Sequence, residues 1–218
     1  MEKTLPNIAL IPGFATEATF SVFRSAMPAD AGFTAFKNGV DRGEVKVFRW
    51  GIERYFSLSQ IMMGLPLLAL YREEEQRILE LERLQQLYSF LEDNVIETIV
   101  CHSLGCRYVL EMMNTLGIPE TVKNIYFVQA DIEHEKRVKH DLVIDRLTLG
   151  TLSLTNIYCP WDQSLMASSL LQRKSRYGMR KILHSPIKNV LIPLKTLPNL
   201  HTCSMKSETL RTIVYQES

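Results

Sequence analysis

The chain has 218 residues, 46% hydrophobic and 22% charged, proportions that suit one substantial core and exclude a disordered or fibrous chain. Twenty-five Lys and Arg stand against 24 Asp and Glu, so the formal net charge of +1 supplies no global field for nucleic acid or an anionic membrane. The longest greasy stretch, residues 61–70, is too short to span a bilayer, and residues 1–7 lack the apolar core of a signal peptide. The expectation is a single cytoplasmic domain over 1–218, without nucleic acid and without stable membrane insertion. Cys101, Cys106, Cys159 and Cys203 fall in or beside predicted buried strands without metal-ligand spacing, which fits reduced, buried thiols.

Taken in order, the chain alternates strand and helix. The apolar run 7–12 predicts a buried strand ended by Gly13. Phe20 and Phe23 at helical spacing predict a first helix over 17–27, and a glycine-rich turn region follows over 32–43. Alternation of Val45 and Val47 with Lys46 and Phe48 predicts a strand over 44–50. Ile78, Leu81, Leu84, Tyr88 and Leu91 form one stripe, and the pattern predicts one long helix over 71–93. Strands are then predicted over 97–101, 124–129, 155–159 and 188–194, and helices over 104–116, 163–173 and 204–215. Strands interleaved with helices in this way predict an α/β class: a mostly parallel, doubly wound sheet of about six strands with helices on both faces.

Functional groups in such a sheet gather beyond the carboxyl ends of the strands. The segment Thr98-Ile-Val-Cys-His-Ser-Leu-Gly-Cys-Arg-Tyr-Val-Leu110 reads as a strand turning sharply into a helix with Ser103 at the apex. That is the pattern of a nucleophile elbow, in which small residues flank a serine lifted clear of the sheet. Gly105 meets this demand on the helix side, and Cys101 stands where a glycine is usual on the strand side. After the first strand, Pro12-Gly-Phe-Ala15 offers the Phe14 amide as partner to the Leu104 amide in an oxyanion hole. After the 155–159 strand comes Asp162, suited either to orient a histidine or to cap the following helix. After the last strand comes His201, a candidate general base. The order Ser103, Asp162, His201 is the hydrolase order. Asp131, after the 124–129 strand, is the alternative acid, and His102 reads as a packing residue whose side chain points away from Ser103.

These residues resemble the α/β-hydrolase superfamily, and more closely a set of small bacterial members. The resemblance rests on Ile11-Pro-Gly-Phe14, Phe48-Arg-Trp50, Cys101-His-Ser-Leu-Gly105, Gln129-Ala-Asp-Ile132, Tyr158-Cys-Pro-Trp-Asp-Gln-Ser-Leu165 running on to Arg176-Tyr-Gly178, and His201. It implies an α/β-hydrolase fold with a minimal cap, a nucleophile at Ser103, an acid at Asp162, a base at His201, oxyanion amides at Phe14 and Leu104, and no metal or organic cofactor. The expected activity is cleavage of a small carboxylic ester or thioester through an acyl-enzyme. Acyl transfer at the same site and a catalytically silent binding protein are the alternatives, and oligomeric state is left open.

Two further stretches bear on the substrate. Residues 57–71, rich in Leu and Met within a candidate cap segment 52–72, read equally as a flexible cover over an acyl pocket or as a buried helix-turn. The basic cluster Arg173, Lys174, Arg176, Arg180 and Lys181 reads as a contact for an anionic group or as a solvated face.

Overall fold

The computed structural model describes residues 7–14, 18–20, 29–56, 65–172, 174–183, 186–192, 205 and 207–216. Six strands form one sheet in the order β3-β1-β5-β6-β7-β8, and every neighbouring pair is parallel. They are β1 (Ile8–Ile11), β3 (Val45–Val47), β5 (Thr98–His102), β6 (Asn124–Val128), β7 (Ser153–Tyr158) and β8 (Ile187–Leu191). A parallel sheet needs cover on both faces, and β1 and β5 are buried along their whole lengths.

Alternate residues divide the core between those faces. Ala9, Ile11, Ile99, Cys101, Ile125 and Phe127 join one cluster with α3 (Leu81–Asp93), α4 (Leu104–Leu116) and α5 (Asp141–Thr148). Ile8, Leu10, Val100, Tyr126 and Val128 join the other with Phe33, Phe36 and the Leu210 and Val214 stripe of α7 (Glu208–Gln216). The expected α/β class with helices on both faces is what forms. No helix among the described residues is long and apolar enough to cross a membrane.

Three local expectations are corrected. Residues 18–20, expected as part of a helix, are strand β2 (Ala18–Phe20), paired in parallel with β4 (Arg54–Phe56) in a separate two-stranded sheet. Ala-Thr-Phe carries a β-branched and an aromatic residue, and the partner strand decided the outcome; the rest of that expected helix lies outside the described residues. The turn region 32–43 holds a 3₁₀ turn, Thr34–Phe36, and the short helix α1 (Lys37–Asp41). The expected long helix is two, α2 (Leu65–Arg77) and α3. In one unbroken helix Ile78 and Leu81 would share a face, yet Ile78 is buried and Leu81 exposed, because extended Glu80 resets the phase.

The sheet order contains a topological switch point. From β1 the chain crosses to β3 on one side, whereas β5, on the other side of β1, leads away to β6, β7 and β8. The direction of winding therefore reverses between β1 and β5, and the crevice at such a switch point is where ligands of open α/β sheets bind.

Candidate active site

Ser103 stands at the carboxyl end of β5, at this switch point. It turns the chain into α4 with φ +52° and ψ −124°, a region that L side chains rarely adopt and that costs about 1–3 kcal/mol. Three hydrogen bonds hold it there. Its amide donates to the Val128 carbonyl at 3.1 Å, and its carbonyl accepts from the amides of Cys106 at 3.1 Å and Asp131 at 3.0 Å. Although Ser103 occupies the N-cap position, its hydroxyl makes no capping bond to the helix.

Glycines allow the close approach on which this turn depends. A Cβ on Gly105 would lie 2.3 Å from the Pro12 carbonyl oxygen, and one on Gly13 would lie 2.9 Å from Cβ of Ser103. The Gly13–Phe14 peptide thus stands beside the serine, with the Pro12 carbonyl fixed from behind by the Trp50 indole N–H at 2.8 Å. Leu104 begins α4, so the amide end of that helix and its positive dipole face the same corner. Cys101 fits where glycine was expected, because its side chain enters the core and its thiol donates to the Tyr126 carbonyl at 3.3 Å. Burial, then the neighbouring Cys106 thiol, pushes the Cys101 thiol well above its ordinary pKa. The ring of His102 lies edge-on to Phe33, on the opposite side of the sheet from Cys101.

The two candidate acids occupy different surroundings. Asp162 is fully buried after β7; one carboxylate oxygen accepts from the Leu165 amide at 3.0 Å, capping α6 (Gln163–Gln172), and the other from the Gln129 side-chain amide at 2.5 Å. Gln129 itself sits at φ +45°, just past β6. Asp131 accepts from the Tyr71 hydroxyl at 2.7 Å and the Ser168 hydroxyl at 3.1 Å, and lies 3.1 Å from Nε of the fully buried Arg176. The second acid is therefore the hub of a buried ion pair tying α2, α6 and the segment at 175–178 to the loop after β6.

Arg176 thus faces Asp131 within the protein, and Lys174 pairs with Glu133 at 2.6 Å, so neither belongs to a uniformly solvated basic face. Arg173 lies outside the described residues, as do residues 57–64 and His201. Where the apolar stretch re-enters, it is helix α2: Leu70 is buried, and Tyr71 sets its ring edge-on to Phe14 at 5.5 Å. Burial, then the Asp131 charge, raises the Tyr71 phenol above the usual tyrosine range. Gln129, Tyr71, Ser168 and Arg176 escaped the sequence reading as partners of the two acids, since nothing in the spacing joins residue 71 to residue 131. No protein-family model, curated protein or solved structure matches the chain.

Proposed function

We propose that the chain is a serine hydrolase of the α/β-hydrolase fold, cleaving a carboxylic ester or thioester through an acyl-enzyme on Ser103. The observation that carries this reading is the strained backbone of Ser103 at the switch point, with its hydroxyl not spent on capping α4. A strained residue persists only where its surroundings over-determine it, and an elbow that presents a serine to a crevice is a use for that strain.

In this mechanism His201, which follows β8 in the chain, accepts the Ser103 proton as Oγ attacks the substrate carbonyl. The amides of Phe14 and Leu104 receive the oxyanion, which stabilises charge that develops only in the transition state. His201 returns the proton to the departing alcohol or thiol, and water, deprotonated in turn by His201, releases the acid and restores Ser103. Asp162 orients His201. Of the two carboxylates it is favoured because the charge of Asp131 is already matched by the buried Arg176 guanidinium, whereas the Leu165 and Gln129 donors to Asp162 are neutral amides.

The test is labelling with a fluorophosphonate, read by intact mass, followed by a panel of 4-nitrophenyl esters and acyl thioesters. Wild type should gain one adduct and turn over at least one substrate, and Ser103→Ala, verified as folded by circular dichroism, should do neither. A folded wild type that resists the probe and cleaves nothing overturns the proposal.

A further inference from the structure

The Phe14 peptide is positioned from two directions. On one side Gly13 lies against the Ser103 side chain; on the other the Phe14 ring meets the Tyr71 ring at 5.5 Å and 66° between planes. The Tyr71 hydroxyl donates to Asp131 at 2.7 Å, and the Asp131 main-chain amide donates to the Ser103 carbonyl at 3.0 Å. Phe14, Tyr71, Asp131 and Ser103 therefore form a closed circuit linking the loop after β1 to the elbow after β5 by way of α2. Asp131 is itself immobilised by Ser168 and Arg176, so the circuit is anchored at its far corner.

We propose that Tyr71 is a positioning residue for the oxyanion donor: it holds the Phe14 amide at its working distance from Ser103 by tying the Phe14 ring to the Asp131 hub. This rests on the hydrolase reading and extends it to a residue thirty-two positions upstream of the nucleophile. An amide donor matters only at the position the oxyanion will occupy, so loosening it weakens the transition state more than the bound ester. The two contacts of Tyr71 are separable. Phenylalanine retains the ring against Phe14 and cuts the tie to Asp131, whereas alanine removes both.

The experiment measures kcat and KM for the best ester from the panel, together with inhibition by a trifluoromethyl ketone, which mimics the tetrahedral intermediate, and by an unreactive amide of the same acyl group. Tyr71→Phe should lower kcat about threefold to tenfold and Tyr71→Ala further still, with KM within about twofold in both. Affinity for the ketone should fall in step with kcat, and affinity for the amide should not move. A kcat unchanged in Tyr71→Phe overturns the tie through Asp131 even if the alanine variant fails to fold. Equal losses for ketone and amide also overturn the proposal, because they mark general loosening of the pocket. A wild type inert to the fluorophosphonate removes the hydrolase reading and this one with it, whereas a reactive wild type with an equally reactive Tyr71→Ala overturns this one alone.

Discussion

Gly105 and Pro12 are in backbone contact across the elbow: a Cβ on Gly105 would lie 2.3 Å from the Pro12 carbonyl oxygen and 2.6 Å from that of Ile11. Both obstacles are main chain, and the Pro12 oxygen is further held by Trp50. Gly105→Ala should therefore force the helix away from the β1 loop and destabilise the protein by at least about 1–3 kcal/mol, measured by urea denaturation. An unchanged midpoint would mean that α4 shifts freely on the sheet.

The buried pair of Arg176 and Asp131 should behave as a unit. Arg176→Met leaves a carboxylate in the core without its cation and should cost about 3–5 kcal/mol, whereas combining it with Asp131→Asn should recover much of that loss. The check is a double-mutant cycle by denaturation, in which simple additivity of the two changes would refute the coupling.

Asp162→Asn separates capping from charge. Asparagine still offers an oxygen to the Leu165 amide but turns an NH2 toward the Gln129 side-chain amide, so stability should fall by about 1–3 kcal/mol, while turnover on the proposed mechanism should fall by about 10⁴-fold. Asp131→Asn should show the reverse balance, with the larger effect on stability because the buried Arg176 loses its counter-charge. Parallel melting curves and ester assays on the two variants decide which carboxylate serves His201.

Gln129→Leu removes the donor that meets Asp162 within the protein. The loss of a hydrogen bond to a buried charged group should cost about 1–3 kcal/mol in chemical denaturation. No change in stability would show that this amide does not support the carboxylate.

Alkaline pH should weaken the fold. Burial, reinforced by Asp131, raises the Tyr71 phenol, and burial likewise raises those of Tyr108 and Tyr177. In the unfolded chain these phenols ionise near about pH 10, while the folded protein keeps them protonated. Their contribution is thus complete below that pH and declines as pH rises through the interval to the raised folded values. The share of tyrosinate absorbance owed to these three residues should develop late and together with unfolding, and Tyr71→Phe should flatten the decline in stability above about pH 10.

How much of this was legible in sequence follows from the range of the interactions involved. The strand, turn and helix around Ser103 are local, and the predicted helix over 104–116 matches α4 in its bounds because Ser103 starts it and Gly117 at φ +82° ends it. The alternation of the parallel sheet was equally readable, since both faces of β1 and β5 demand apolar residues. Strand β2 was misread because Phe20 and Phe23 mimic a helical period, while the pairing of Ala18 with Arg54 leaves no local mark. The break at Glu80 was hidden for a similar reason: Ile78 and Leu81 have helical spacing, and only burial separates them. The places of Ser103, Phe14, Asp131 and Asp162 just past strand ends were legible in the sequence. The partners that distinguish the two acids were not, because Tyr71 reaches Asp131 across sixty residues and Gln129 reaches Asp162 through a positive φ that no residue type announces.

The pairing of β1 with both β3 and β5 also sets a schedule for biosynthesis. Ile8 lies beside Thr98, so β1 waits for about ninety further residues before this neighbour leaves the ribosome. Until then β1 has at most the three-residue β3 beside it, and its other edge is open to whatever strand it meets. Closure of so long a loop is slow, so the emerging chain should depend on holdase chaperones until β5 arrives, and then gain its protease resistance in one late step.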